Sequence, residues 1–230
     1  MSDAILQGNP PVCVTLRRSA RARRMTLRVS RMDGRVTLTL PRGVAEAEAM
    51  AFANERGDWI RKHLAQHVVP ALVSHGAEIP VLGELRRIVP GRGRRVVLSE
   101  TEILVPGNAD QVGRKLQAFL KQLARSELAY ASDRYAEVLG KPYTKLTIRD
   151  TRSRWGSCSS AGALMYSWRL ILAPAEVLTY VAAHEVAHLA EMNHSDRFWA
   201  KVGSLYGDYD PARAWLRREG HALHQYRFTD

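Results

Sequence analysis

Cysteine is nearly absent. The two residues present in 230, Cys13 and Cys158, make no disulfide framework and are too few and too far apart to form a thiolate zinc site by themselves. No apolar run reaches the roughly 18–20 residues that a membrane span needs. The first residues lack a basic start followed by an apolar core, so no secretory signal is expected. A reducing, cytoplasmic setting without a membrane partner fits these absences. Nothing resembling a glycine-rich phosphate loop occurs. What remains is the composition of an ordinary folded protein, 46% hydrophobic and 25% charged, long enough for one large domain or two small ones.

Acid is scarce in one stretch above all. Residues 17–42 hold Arg17, Arg18, Arg21, Arg23, Arg24, Arg28, Arg31, Arg35 and Arg42 against one acid, Asp33, a local balance of +8 within a formal net charge of +11. One reading is an anionic partner, nucleic acid or nucleotide. The other is a set of solvated strand faces in an arginine-rich chain, since 28 of its 34 basic residues are arginine. No aromatic residue interleaves the run, so no base-stacking platform is expected there.

Alternating apolar residues predict strands at 12–16, 25–29 and 36–40, with Asp33-Gly34 as the hairpin turn between the last two. A helix is expected from about Ala45 to His67, with Ala49, Phe52, Trp59, Ile60 and Leu64 on one apolar face. Short strands are expected at 79–82, 85–89, 95–98 and 103–105. A long helix follows from Asp110 to Leu139, stopped by Gly140 and Pro142. Strands at 144–149, 152–158 and 163–170 precede a helix from Pro174 to about Met192, then helices at about 195–206 and 211–226. The expected fold class is α+β. A basic, β-rich portion (1–105) leads into a portion of helix, antiparallel sheet and three further helices (106–230), and one sheet could continue across that division.

His184-Glu185-Val186-Ala187-His188 carries the chemistry. Residues four apart on a helix lie about 40° apart in projection and about 6 Å along the axis, so His184 and His188 can converge on one ion. Glu185, rotated about 100° from His184, can reach a water on that ion as general base. Uncharged flanks, Val181-Ala182-Ala183 and Leu189-Ala190, indicate a buried helix on which these polar side chains need partners. Catalytic zinc takes three protein ligands and a water. The third ligand is expected to be His194, beyond a break at Asn193 and a new helix capped by Ser195 with Asp196 in its first turn. Glu191 is the rival, or else a carboxylate that orients a ligand imidazole.

The segments from Thr151 through Arg152, Arg154, Trp155, Gly156 and Cys158, from Ser167 to Pro174, the H-E-x-x-H run, and Met192-Asn193-His194-Ser195-Asp196-Arg197-Phe198-Trp199 resemble the YgjP-like metallopeptidase family, a zincin-type family related to SprT-like peptidases. The resemblance is close over about 145–222 and looser in the basic N-terminal part. It implies zinc held by His184, His188 and His194, with Glu185 as catalytic base. It also implies a zincin-like domain in which helices pack on an antiparallel or mixed sheet and an edge strand receives a peptide or unfolded protein. That strand is expected at about 163–170.

Arg152 and Arg154 are weaker candidates, either for stabilising an oxyanion or for a structural ion pair with Asp150. Trp155, Trp168 and Trp199 are expected to pack the core near the site, and Cys158 to be a small buried residue. His221 and His224 lack a third group. Tyr206 and Tyr209 are possible transition-state donors. The expected function is zinc-dependent peptide hydrolysis. One alternative is zinc-dependent hydrolysis of a non-peptide substrate such as a nucleotide phosphoanhydride; another is a nucleic-acid-associated protein with a structural or accessory metal site.

Overall fold

The computed structural model describes residues 2–30, 34–65 and 70–229, and the chain divides into two compact units, Met1–Val69 and Pro70–Asp230. In the first unit the alternation seen in sequence becomes a four-stranded sheet. Its strands are β1 (Ser2–Leu6), β2 (Val12–Arg18), β3 (Thr26–Val29) and β4 (Val36–Leu40), in the order β1-β2-β4-β3. Val12, Val14 and Leu16 of β2 and Val36, Leu38 and Leu40 of β4 are buried, each worth about 1.5–3 kcal/mol relative to exposure. The β3–β4 pair is antiparallel as expected. Asp33 of its turn lies outside the described residues, and Gly34 adopts φ 65. Strand β1 has no strong apolar signal, since only Leu6 is buried; backbone pairing with β2 defines it.

The single helix expected from Ala45 to His67 is two helices, α1 (Glu46–Glu55) and α2 (Gly57–Leu64); His67 lies outside the described residues. Arg56, at φ −99 and ψ 10, interrupts them. The break resets the helical phase. Ala49, Ala53 and Ile60 still face the sheet, but Trp59 stands 41% exposed.

The second unit contains β5 (Ala71–Leu72), β6 (Glu78–Val81), β7 (Glu84–Pro90), β8 (Val97–Leu98) and β9 (Glu102–Val105), then α3 (Ala109–Leu139). β10 (Lys145–Arg149), β11 (Gly156–Cys158), β12 (Ala163–Ser167), α4 (Ala175–Ala187), α5 (Asp196–Tyr206), α6 (Asp210–Glu219) and β13 (Tyr226–Arg227) complete it. The observed division at 69/70 differs from the one expected near 106. Ile79, Val81, Ile88, Ile103 and Val105 of the second sheet share one core with Val112, Leu116 and Leu120 of α3, so these strands belong with the helices that follow them. Gly140 ends α3 in the left-handed conformation at φ 68, as its sequence position predicts.

Two further departures shape the site. Strand β12 is central in the order β10-β12-β11, so the stretch 163–170 is not an edge; it also ends at Ser167, where a 3₁₀ turn, Trp168–Leu172, begins. Helix α4 stops at Ala187 rather than near Met192. Its last turn tightens, with Leu189 N–H donating to Val186 O at 2.9 Å and Ala190 N–H to Ala187 O at 3.0 Å, the i→i−3 pattern of a 3₁₀ end. The last expected helix likewise ends at Glu219 and gives way to a 3₁₀ turn, Gly220–His224, and β13, which pairs with β5.

The start of α4 is fixed by the β6–β7 turn. Leu82 N–H donates to Ile171 O at 2.7 Å. A β-carbon on Gly83 would sit 3.0 Å from Pro174 Cα. Among the described residues no helix is long and apolar enough to cross a membrane.

Candidate metal centre

Helix α4 is apolar around nearly its whole circumference, with Val177, Leu178, Val181, Ala182, Ala183, Val186 and Ala187 all buried. Its C-terminal turn therefore brings His184, Glu185 and His188 into the interior. One ligand atom from each of His184, His188 and His194 lies within 4.8 Å of the others. The Nε2 atoms of His184 and His194 are 3.1 Å apart, close to the edge of about 3.3 Å for a tetrahedron with metal–nitrogen bonds of about 2.0–2.1 Å.

His194 arrives by the expected break, but by another device. Ser195 is the N-cap of α5 without a side-chain capping bond; instead Asn193 Oδ1 accepts Ser195 N–H at 3.1 Å and turns the chain. Glu191 does not join the three imidazoles. Its carboxylate pairs with Arg197 at 2.8 Å, and its backbone carbonyl accepts His188 Nδ1–H at 3.0 Å. That bond fixes the His188 tautomer and leaves Nε2 as a lone-pair donor.

Aromatic rings hold the imidazoles. Phe198 stacks on His188 at 4.4 Å and meets His184 and His194 edge-on at 4.9 and 4.8 Å. Trp199 lies 5.7 Å from His184. His184 Nδ1 is buried without a hydrogen-bond partner among the described residues, so that ring is set by packing against its aromatic neighbours and by the contact of its Nε2 with His194. Burial first, then the neighbouring His188 and His194, pushes the His184 pKa down to about 3. A neutral imidazole is the state in which a cation can be bound.

Glu185 is 5% exposed. Burial pushes its pKa up to about 8, against the pull of the Arg154 guanidinium. Its carboxylate lies against the backbone of β11: a β-carbon on Gly156 would be 2.5 Å from Oε1 and 2.8 Å from Cδ. Spacing rules single out neither Gly156 nor Phe198 as a site residue.

Strand β11, not β12, offers the free edge. Ser167 N–H donates to Trp155 O at 2.8 Å and Ser159 N–H to Ala163 O at 3.0 Å. In an antiparallel ladder such pairs alternate, so residues 155, 157 and 159 face β12. Gly156 and Cys158 therefore turn their N–H and C=O groups to the other side, where no strand among the described residues pairs with β11.

Other candidates separate from the cluster. Asp150 pairs with Arg169 at 2.7 Å, not with Arg152 or Arg154. Arg154 is exposed and acts on Glu185 through charge; Arg152, also exposed, acts on His224. Burial, then the Glu185 charge, pushes the Cys158 thiol up to about 11, far from a thiolate. Trp155 stacks on His224 at 5.2 Å, and Trp168 is fully buried. Tyr206 donates its hydroxyl to Glu176 O at 2.8 Å, and Tyr209 stacks on Trp199 at 5.2 Å.

A buried helix bearing His184, Glu185 and His188, met by His194 from the turn before the next helix and flanked by a mixed sheet, is an arrangement that suits a metallopeptidase domain. The family model described as YgjP-like, metallopeptidase domain, matches residues 23–219. The chain belongs to that family. Among solved structures it is similar to the metallopeptidase zymogen abylysin of Pyrococcus abyssi, at 20% identity and a TM-score of 0.36, over 40% of this chain and 92% of that one. No curated protein matches.

Proposed function

We propose that this chain is a zinc peptidase in which His184, His188 and His194 hold the ion and Glu185 is the general base. The observation that carries the reading is the convergence of three imidazole nitrogens within 4.8 Å, two of them at the end of the helix that also buries Glu185. An all-imidazole donor set in a small tetrahedral space suits zinc. When bound, such an ion supplies Lewis acidity, bringing the pKa of water toward 7 and polarising a carbonyl.

The chain's own residues supply the rest. Glu185, with proton affinity raised by burial, takes a proton from the attacking water and returns it to the leaving amine. The outward N–H and C=O groups of Gly156 and Cys158 align an extended peptide by strand addition. Arg154, the cation that acts on Glu185, offers positive charge where an oxyanion develops. Both cysteines are free, which supports a reducing, cytoplasmic setting.

The test compares Glu185→Gln and His194→Ala with the wild type in metal content and in turnover of an unfolded protein. Glu185→Gln should keep its zinc and lose turnover by about a hundredfold or more; loss of the metal, or full turnover, overturns its role as base. His194→Ala should lose the zinc, and retention overturns the third ligand.

A further inference from the structure

The arginine run of the first unit lacks aromatic residues along the sequence, but the fold brings two to it from α1 and α2. A cleft of about 300 Å³ is lined by Arg24, Met25 and the following residues of edge strand β3 on one side, and by Phe52, Arg56 and Trp59 on the other. No acidic residue lines it. Trp59, 41% exposed, rests on His63 with ring centroids 4.0 Å apart. The Arg56 guanidinium lies 5.8 Å from the centre of the Phe52 ring. Arg24 and its neighbours in sequence, Arg21 and Arg23, make no ion pair among the described residues.

An exposed flat ring, a cleft of about 300 Å³, and cations without an ion pair among the described residues are the parts of a single-strand site. Bases stack on the aromatic face while the guanidiniums follow the phosphates. We propose that this cleft binds single-stranded nucleic acid, with a base against Trp59 and backbone phosphates at Arg24 and Arg56. A duplex is a poorer fit because its base faces are already stacked.

The test uses the full chain and fluorescein-labelled oligothymidine and oligouridine of about 12 nucleotides, read by anisotropy. Either probe should bind, and affinity should fall about twenty- to fiftyfold between about 50 and 200 mM salt, as for three or four phosphate contacts. The two arms show whether the cleft takes the DNA or the RNA strand more tightly. Trp59→Ala should weaken binding about tenfold at every salt concentration, and Trp59→Phe should retain most of it. Arg24→Gln and Arg56→Gln should each lower the log–log salt slope by about 0.7. Metal content should stay unchanged in all four variants.

No binding at low salt overturns the proposal. So does a duplex of the same length that binds as tightly, or inorganic polyphosphate that displaces the oligonucleotide at equal charge. Equal affinity in Trp59→Ala, or equal loss in Trp59→Ala and Trp59→Phe, removes the stacking contact and with it the site.

Discussion

In the sheet β1-β2-β4-β3 the outer pairs are antiparallel and the central pair β2–β4 is parallel; in β6-β7-β9-β8 the central pair β7–β9 is parallel between two antiparallel pairs in the same way. The two sheets treat arginine differently. Arg86, on β7, donates to Ser99 O at 2.9 Å and also to the carbonyls of Val81 and Glu84. Arg169, beyond β12, holds Asp150 through two bonds of 2.7 and 3.2 Å and the carbonyls of Leu223 and Tyr226 at 3.1 and 3.2 Å. Arg17 and Arg28 of the first sheet have no such partners among the described residues. Shared wiring therefore does not fix use. Arg18 of the first sheet is also held, donating to the carbonyls of Arg42 and Val44 at 3.1 and 2.7 Å, so the contrast lies between arginines bound into the fold, such as Arg86 and Arg169, and Arg17 and Arg28, which are left to solvent or to a partner.

The comparison predicts unequal effects. The largest falls on Gly156→Ala. A β-carbon there would overlap the Glu185 carboxylate, so β11 or the glutamate must shift, and a displacement of about 1 Å at a catalytic group costs on the order of a hundredfold in rate. Turnover should fall in kcat more than in KM, with zinc content and the thermal midpoint near wild type. A variant that keeps full kcat would show that the close approach has no part in placing Glu185.

Arg169→Met comes next. Burial would raise the Asp150 carboxyl, but the hydrogen bonds and charge of Arg169 outweigh it and hold its pKa below the usual range. Removing the guanidinium leaves two carbonyls without their donor, along with a carboxylate that is 40% exposed and partly solvated. Urea unfolding should show a loss of about 2 kcal/mol. A loss under about 1 kcal/mol would mean that water replaces Arg169 adequately.

His224 gives a smaller, pH-dependent effect. Burial, then the charge of Arg169, pushes its pKa down to about 4, although Asp150 pulls the other way. The unfolded chain therefore takes up a proton near pH 6.5 that the folded chain refuses until about pH 4. The resulting stability is present above about pH 6.5 and is lost as pH falls toward 4. For this half-exposed ring the discounted size is about 1 kcal/mol. His224→Gln should flatten the urea-midpoint profile between about pH 7 and 5 relative to wild type; parallel profiles would remove His224 as a cause.

Much of this was legible in sequence where one periodicity dominates. The α3 stop at Gly140, the β3–β4 hairpin and the His184/His188 pairing follow from local rules. The misreadings have nonlocal causes. Helix α4 reads as longer because Leu189-Ala190 continue its apolar pattern, although the backbone has already tightened. Strand β12 looks like an edge until β10 and β11 flank it. The helix break at Arg56 carries no proline, and the aromatic wall of the arginine cleft is hidden because Phe52 and Trp59 lie about 30 residues from Arg24. Gly156 matters for what it lacks, which only a neighbour's position reveals.

The smallest predicted effect is the sharpest test of the contrast between the units. Arg17 alternates with buried residues along β2 and Arg28 with partly buried ones along β3, so both side chains leave the sheet on its outer face. There Arg17 stands opposite Thr39 and Arg28 opposite Thr37, and neither threonine offers a charge. Arg17→Gln and Arg28→Gln remove no ion pair among the described residues and relieve some like-charge repulsion in a stretch of local balance +8. Each should change the unfolding free energy by no more than about 0.5 kcal/mol, with a slight gain at low ionic strength, where repulsion is least screened. A loss above about 1 kcal/mol in either variant would mean that Arg17 or Arg28 is used structurally, as Arg18 and Arg86 are.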